Sequence, residues 1–255
     1  MITLFPKPRR FAIGDVHGCL DELQILLTKI NFRPNYDFLM FVGDLVDRGP
    51  DSNGVVTYIR DLKTRFSKIG VVRGNHDDRY ARYFSHELKH RANPHHKNNM
   101  FLNEEKRAVY NSLSEENLFF LMKLPNYLSF EHSNWVAVHA GFEPGIDLER
   151  QDPDQMKHLR YLEIGTNRPK GLTKEYKQPP NTQHWTKVYD LPYNVVCGHH
   201  VHSFEKPVCI ERPNGTKIVC VDTGCAYGGF LTAYNIDTGE YEQVKPAKQY
   251  SEAYE

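Results

Sequence analysis

The 255-residue chain sets 32 Lys and Arg against 32 Asp and Glu, so it exerts no global pull on nucleic acid or on a membrane surface. With 40% hydrophobic residues it can bury a sizeable core, yet no apolar stretch approaches the roughly 20 residues that cross a bilayer. The opening MITLFPKPRR has no long apolar segment of the secretory kind, and none of the five cysteines forms a C-x-x-C pair, which together point to the reducing cytoplasm.

The first third alternates between two periodicities. RRFAIGD reads as a strand, and CLDELQILLTKINF carries apolar residues at 20, 23, 26, 27 and 30, the spacing of a helix. DFLMFVGD is a second strand. SNGVVTYIRDLKTRF is a second helix, with Asp51 and Ser52 placed to cap it. KIGVVRGN and DDRYARYFSHELKH repeat the pair, and such alternation predicts an α/β architecture with a buried parallel sheet.

RANPHHKNN, at 91–99, reads as a loop, SEENLFFLMKLP as a helix opened by Ser114 and stopped by Pro125, and YLSFEH and NWVAVHAG as strands. The span 143–190 is polar, rich in Pro, Lys and Gln, and weak in periodicity, the composition of a lid-like excursion. The rest is β: NVVCGHH, KPVCIER, KIVCVDTG, GFLTAYNI and EYEQVKP, with turns at Asn214-Gly215 and at 237–239. We expect one domain over 1–245 and a frayed tail over 246–255.

One syntax recurs along the chain: an apolar strand ends, and a polar residue of metal-ligand type follows it beside Gly. It yields Asp15 and His17, then Asp44, Asn75, His139 and His199. Each alone is an ordinary turn or cap. Together they share an order, a strand context and a chemistry, and in open α/β sheets function collects beyond the carboxyl ends of strands. Mixed carboxylate, amide and imidazole ligation suits divalent ions such as manganese, iron or zinc, with nickel a further candidate. Six ligands exceed the needs of one open catalytic ion and suit two that share a carboxylate.

GDVHG, GDLVDRG, GNHD, HAG and GHH, in this order, resemble the signature of the phosphoprotein phosphatase family of calcineurin-like metallophosphoesterases. The likeness spans residue 11 to about 235. It implies two packed mixed β-sheets flanked by helices. It also implies that Asp15, His17 and Asp44 hold one ion, and that Asp44 bridges to a second completed by Asn75, His139 and His199. By the same resemblance Arg48 grips the substrate phosphate, His76 is the general acid that Asp47 orients, and Arg160 is a second phosphate clamp. The resemblance further implies that hydroxide generated between the cations would attack phosphorus, and Asp77 is expected to hold the turn that aims Asn75 and His76.

Asp77 stands where many members of the family have Glu, which resembles the bacterial and phage branches, including the phosphatase module of bacterial polynucleotide kinase–phosphatases. The family default substrate is a Ser/Thr phosphoprotein. The alternatives are a dinucleoside tetraphosphate cleaved symmetrically, or a nucleic-acid terminal or cyclic phosphate. A phospho-ligand scaffold without turnover is the reading from another class, and the His76–Asp47 pair speaks against it. The histidines at 86, 90, 95 and 96 lie on a helix end and a polar loop without an acidic partner and read as solvent-facing. His200 and His202 read as flanking groups, Arg73 as a brace for carboxylates, and Tyr227 as an aromatic plug.

Overall fold

The computed structural model describes residues 7–130, 132–171 and 177–252. One sheet holds β1 (Arg10–Ile13), β2 (Phe38–Phe41), β3 (Ile69–Val71), β12 (Leu231–Asn235) and β13 (Tyr241–Val244), in the order β13-β12-β1-β2-β3. A second holds β4 (Tyr127–Ser129), β5 (Trp135–Val138), β9 (Asn194–Cys197), β10 (Val208–Glu211) and β11 (Lys217–Cys220), in the order β10-β11-β9-β5-β4. β1, β2 and β3 run parallel, as do β5, β9 and β11, while β13, β10 and β4 are antiparallel edge strands and β3 is a parallel one.

The strands are apolar on both faces because both faces are covered. Ala12, Met40 and Val42 from the first sheet meet Trp135, Ala137, Val196, Val219 and Val221 from the second in the layer between them. The alternate residues Phe11, Ile13, Leu39 and Phe41 point the other way, against the helices. Those are α1 (Leu20–Lys29), α2 (Ser52–Arg65), α3 (Asn75–Ala92), α4 (Glu104–Ser112) and α5 (Glu115–Met122). The period of 2 thus sorts each strand between two cores. Two caps fall where the sequence places them: Asp51 accepts from the Gly54 N–H, and Ser114 from that of Asn117.

Two elements differ from expectation. α4 has no counterpart in the periodicity reading, since Tyr110 is its only fully buried residue and no apolar stripe announces it. Its readable signal is the cap: Asn103 accepts from the Lys106 N–H ahead of Glu104 and Glu105. The span 143–190 is more ordered than its composition indicates. It contains α6 (Gln155–His158) and a sheet of β6 (Tyr161–Glu163), β7 (Pro169–Lys170) and β8 (Thr182–His184), although part of it, 172–176, lies outside the described residues. Strands of two or three residues are too short to show a period. Met156, Leu159, Leu162 and Trp185 bury this span on the outer face of the second sheet.

Glu131, within the strand expected at YLSFEH, and 253–255 of the tail also lie outside the described residues. Before that end, the Tyr250 hydroxyl donates to Glu22 at 2.9 Å and its N–H to the Ala226 carbonyl at 2.9 Å, so the tail is anchored at this point. Cys209 is exposed; the other four cysteines are buried.

Candidate metal centre

Parallel strands of both sheets end at one edge, and the loops beyond them carry the site. Asp15 and His17 follow β1; Asp44, Asp47 and Arg48 follow β2; Asn75 and His76 open α3 after β3; His139 follows β5; His199 follows β9. The backbone is strained here. Of nine non-glycine residues with positive φ among the described residues, five are His17 (46°), Asp44 (50°), Asp47 (71°), Arg48 (70°) and His199 (67°). Each such residue costs on the order of 1–3 kcal/mol, and strain of this kind collects at functional sites.

Asp44 is the hub. Its Oδ2 lies 3.3 Å from His139 Nε2, 3.7 Å from His17 Nε2 and 4.0 Å from His76 Nε2. Its Oδ1 accepts the His76 N–H at 2.9 Å, at the positive end of α3. Gly74 allows this approach, because a Cβ there would sit 2.0 Å from Asp44 Oδ1. Asp77 fixes the corner, accepting from the Leu45 N–H at 2.9 Å and the Gly74 N–H at 3.0 Å. Gly198 is required in the same way beside Asp15, whose Oδ2 accepts the His199 N–H at 3.1 Å.

The donor set fits cations. His139 Nδ1–H donates to the Val42 carbonyl at 2.9 Å and His17 Nδ1–H to that of Val46 at 2.8 Å, which leaves each Nε2 facing the site. His139 Nε2 then meets Asn75 Oδ1 at 3.0 Å as well as Asp44 Oδ2, and His199 Nδ1 meets the same Asn75 oxygen at 3.0 Å. His139 Nε2 thus faces two acceptors, whereas a His199 Nδ1–H can donate to Asn75 Oδ1. A proton on His139 or a cation must lie between that Nε2 and the two acceptors.

The electrostatics agree. Burial opposes ionisation of Asp44, but His139, His76 and His17 hold it well below the usual carboxylate range. Burial, with Asp222 and Asp44 nearby, raises Asp15 well above that range, and burial pushes Asp222 up to about 6. Burial also pushes His17 down to about 3, against Asp44, and His199 well below its ordinary value. Neutral imidazoles among more carboxylates than can comfortably ionise make a cation-seeking pocket. Two three-residue clusters have donor atoms within 4.8 Å of one another, His17/Asp44/His76 and Asp44/His139/His199, and Asp44 belongs to both. His76 stands in the first cluster where the resemblance places Asp15.

A second network is built on Asp47. It accepts from His76 Nδ1 at 2.5 Å and Arg79 Nη1 at 2.9 Å, and from the Tyr80 hydroxyl. These bonds hold Asp47 below its ordinary value although burial opposes it. Arg48 Nη2 lies 3.3 Å from His76 Nε2, and its guanidinium stacks 4.8 Å from the Tyr227 ring centroid. Arg160 Nη2 donates to the His199 carbonyl at 3.2 Å, so the irregular span places a cation beside the strand ends.

Sequence reasoning overlooked Arg79, Tyr80 and Asp222. Arg79 and Tyr80 continue the RGNHDDRY run and share a helix face with His76, a relation that spacing alone could have raised. Asp222 follows β11 by the same strand-end syntax, in CVDTG, without a His beside it. Tyr227 is a stacking partner of Arg48 rather than only a plug. Arg73 braces Asp78 at 3.3 Å. His86 and His96 pair with each other at 3.0 Å, away from these clusters.

A two-sheet sandwich that gathers carboxylates, an amide, imidazoles and an arginine at the ends of parallel strands defines a metal-dependent phosphoesterase. The chain belongs to the calcineurin-like phosphoesterase family, whose model matches residues 9–227. It is 31% identical to the asymmetrical bis(5'-nucleosyl)-tetraphosphatase PrpE of Halalkalibacterium halodurans, over 93% of both chains. It is 37% identical to a symmetrical bis(5'-nucleosyl)-tetraphosphatase of Vibrio parahaemolyticus, over 87% of this chain and 93% of that one. A solved structure provisionally assigned as a diadenosine tetraphosphatase superposes with TM-score 0.72 at 26% identity, over 94% of both chains. A Saccharomyces cerevisiae protein serine/threonine phosphatase superposes with TM-score 0.54 at 14% identity, over 96% of this chain and 82% of that one, a likeness of fold alone.

Proposed function

We propose that this phosphoesterase uses two metal ions and acts on nucleoside polyphosphates, with a dinucleoside tetraphosphate as its substrate class. The observation that carries the dimetal reading is the membership of Asp44 in both three-residue clusters. The substrate class rests on the relatives at 31% and 37% identity, whose names are tetraphosphatases. It displaces the Ser/Thr phosphoprotein default, which has only a likeness of fold on its side.

In this reading Asp15, His17 and Asp44 hold one ion, and Asp44, Asn75, His139 and His199 hold the other. Manganese is our first choice, with iron, zinc and nickel as the other candidates. When bound, the ions supply neutralisation of phosphate charge and a water of lowered pKa. The rest is the work of side chains. Arg48 binds two phosphoryl oxygens through its planar fork, held in aim by Tyr227. Arg can only donate, so leaving its contact with His76 Nε2 for the phosphate frees that nitrogen to carry a proton. His76 then donates from Nε2 to the departing oxygen, while Asp47 retains Nδ1–H and fixes the ring. Arg160 neutralises a more distant phosphate of the chain.

Hydrolysis of diadenosine tetraphosphate is expected to stop on chelation and to return with manganese, with two ions per folded chain by metal analysis. Turnover that survives exhaustive chelation would sink the dimetal reading. Product analysis separates the two cleavage modes that the relatives represent: ADP alone from symmetrical cleavage, AMP with ATP from asymmetrical.

The span 143–190 sets substrate choice in this account, since it supplies Arg160. Arg160→Ala is expected to change the ranking of diadenosine tetraphosphate against p-nitrophenyl phosphate. Equal losses on both would make the span purely structural. We also place the enzyme in the cytoplasm. Fractionation of cells would test this. Among the described residues no helix is long and apolar enough to cross a membrane.

A further inference from the structure

A third cluster of metal-ligand type lies outside the groups assigned above. His184, at the end of β8, meets His200 and His202 from the loop after β9, and their donor atoms lie within 4.8 Å of one another. The ring centroids are 5.1 Å (His184–His200), 4.7 Å (His184–His202) and 4.6 Å (His200–His202) apart. We propose that His184, His200 and His202 form a separate site for a zinc-type transition ion, beside the dimetal centre and distinct from it.

The geometry supports a ligand role. His184 is fixed by Trp185, which is fully buried next to it, and its Nδ1 lies 2.9 Å from Thr186 Oγ1. Its Nε2 is buried and has no hydrogen-bond partner. The Thr186 N–H also reaches that Nδ1, at 3.4 Å, so Nε2 offers a lone pair to the other two rings in the tautomer whose Nδ1–H is donated to Thr186 Oγ1. His202 is hydrogen-bonded to Cys220, which leaves its other nitrogen for the cluster. An N–H held by a neighbour is how ligating imidazoles are oriented. A Zn–N bond of about 2.0–2.1 Å places tetrahedral ligand atoms roughly 3.4 Å apart, which side-chain rotation can reach from the present spacing.

The surroundings choose the ion. Arg160 and Lys187 act on His184 while Cys220 and Asp222 act on His202, so the surrounding charges oppose one another and ligand bonds must hold a cation. Imidazole ligands suit zinc, nickel or copper, whereas manganese, magnesium and calcium prefer oxygen. Three protein ligands also leave a fourth position open.

The test is a zinc count on the whole chain, by equilibrium dialysis and elemental analysis. Wild type is expected to hold three ions, and His184→Ala and His202→Ala two each. Asp44→Asn is expected to keep the ion that those variants lose, which separates this site from the dimetal reading. His202→Ala should still hydrolyse p-nitrophenyl phosphate, which reports an intact fold, and its count alone decides if His184→Ala does not fold. A wild-type count that His202→Ala leaves unchanged would overturn the proposal.

Discussion

Asp44→Asn is expected to empty both metal positions at once and to reduce hydrolysis by more than the ~10²–10³-fold that loss of a single electrostatic donor costs. The amide keeps the shape of the carboxylate and an oxygen for the His76 N–H, so the fold should survive, as circular dichroism would show. What it lacks is the charge that holds two cations close together. Asp15→Asn, by contrast, should weaken one position and leave the other filled. Elemental analysis of the two variants separates these outcomes. An Asp44→Asn protein with two tightly held ions and ordinary turnover would remove Asp44 from the centre of the site.

His76→Ala is the second large effect, and its size should follow the leaving group. Removing a general acid costs about 10²–10⁴-fold when the departing oxygen needs a proton. An alkoxide leaving from a serine or ribose ester needs one, whereas p-nitrophenolate departs readily without. A nucleotide leaving from a tetraphosphate resembles the second case, because its phosphate is weakly basic, with a pKa of about 6. The variant should therefore retain its metal, lose most on alkyl phosphates and lose distinctly less on p-nitrophenyl phosphate and diadenosine tetraphosphate. Paired rates, measured where chemistry limits turnover, would show this. Equal losses on all three would leave His76 as a phosphate-binding group.

The parts of this molecule that were legible in its sequence obey short-range rules. A strand that is buried on both faces must be a continuous apolar run, and a polar residue at its end beside glycine is conspicuous. That is why Asp15, Asp44, Asn75, His139 and His199 could be read before their positions were known. The same rule reaches Asp222 in CVDTG, which stands two residues before its glycine as His139 does in HAG. What could not be read depends on contacts between distant segments. Arg79 and Tyr80 acquire meaning only once Asp47, more than 30 positions earlier, is folded against them. His184 joins His200 and His202 only because β8 runs beside the loop after β9. In α4, with its single fully buried tyrosine, the cap at Asn103 carries the signal that periodicity could not.

We propose that the metal-loaded enzyme is a nucleotide phosphoesterase rather than a protein phosphatase. The most direct test is kcat/KM on diadenosine tetraphosphate and on a phosphoserine peptide, measured with one preparation at one metal concentration. A clear preference for the tetraphosphate is expected, with cleavage within the polyphosphate chain. Efficient dephosphorylation of the peptide, with the tetraphosphate left intact, would contradict it.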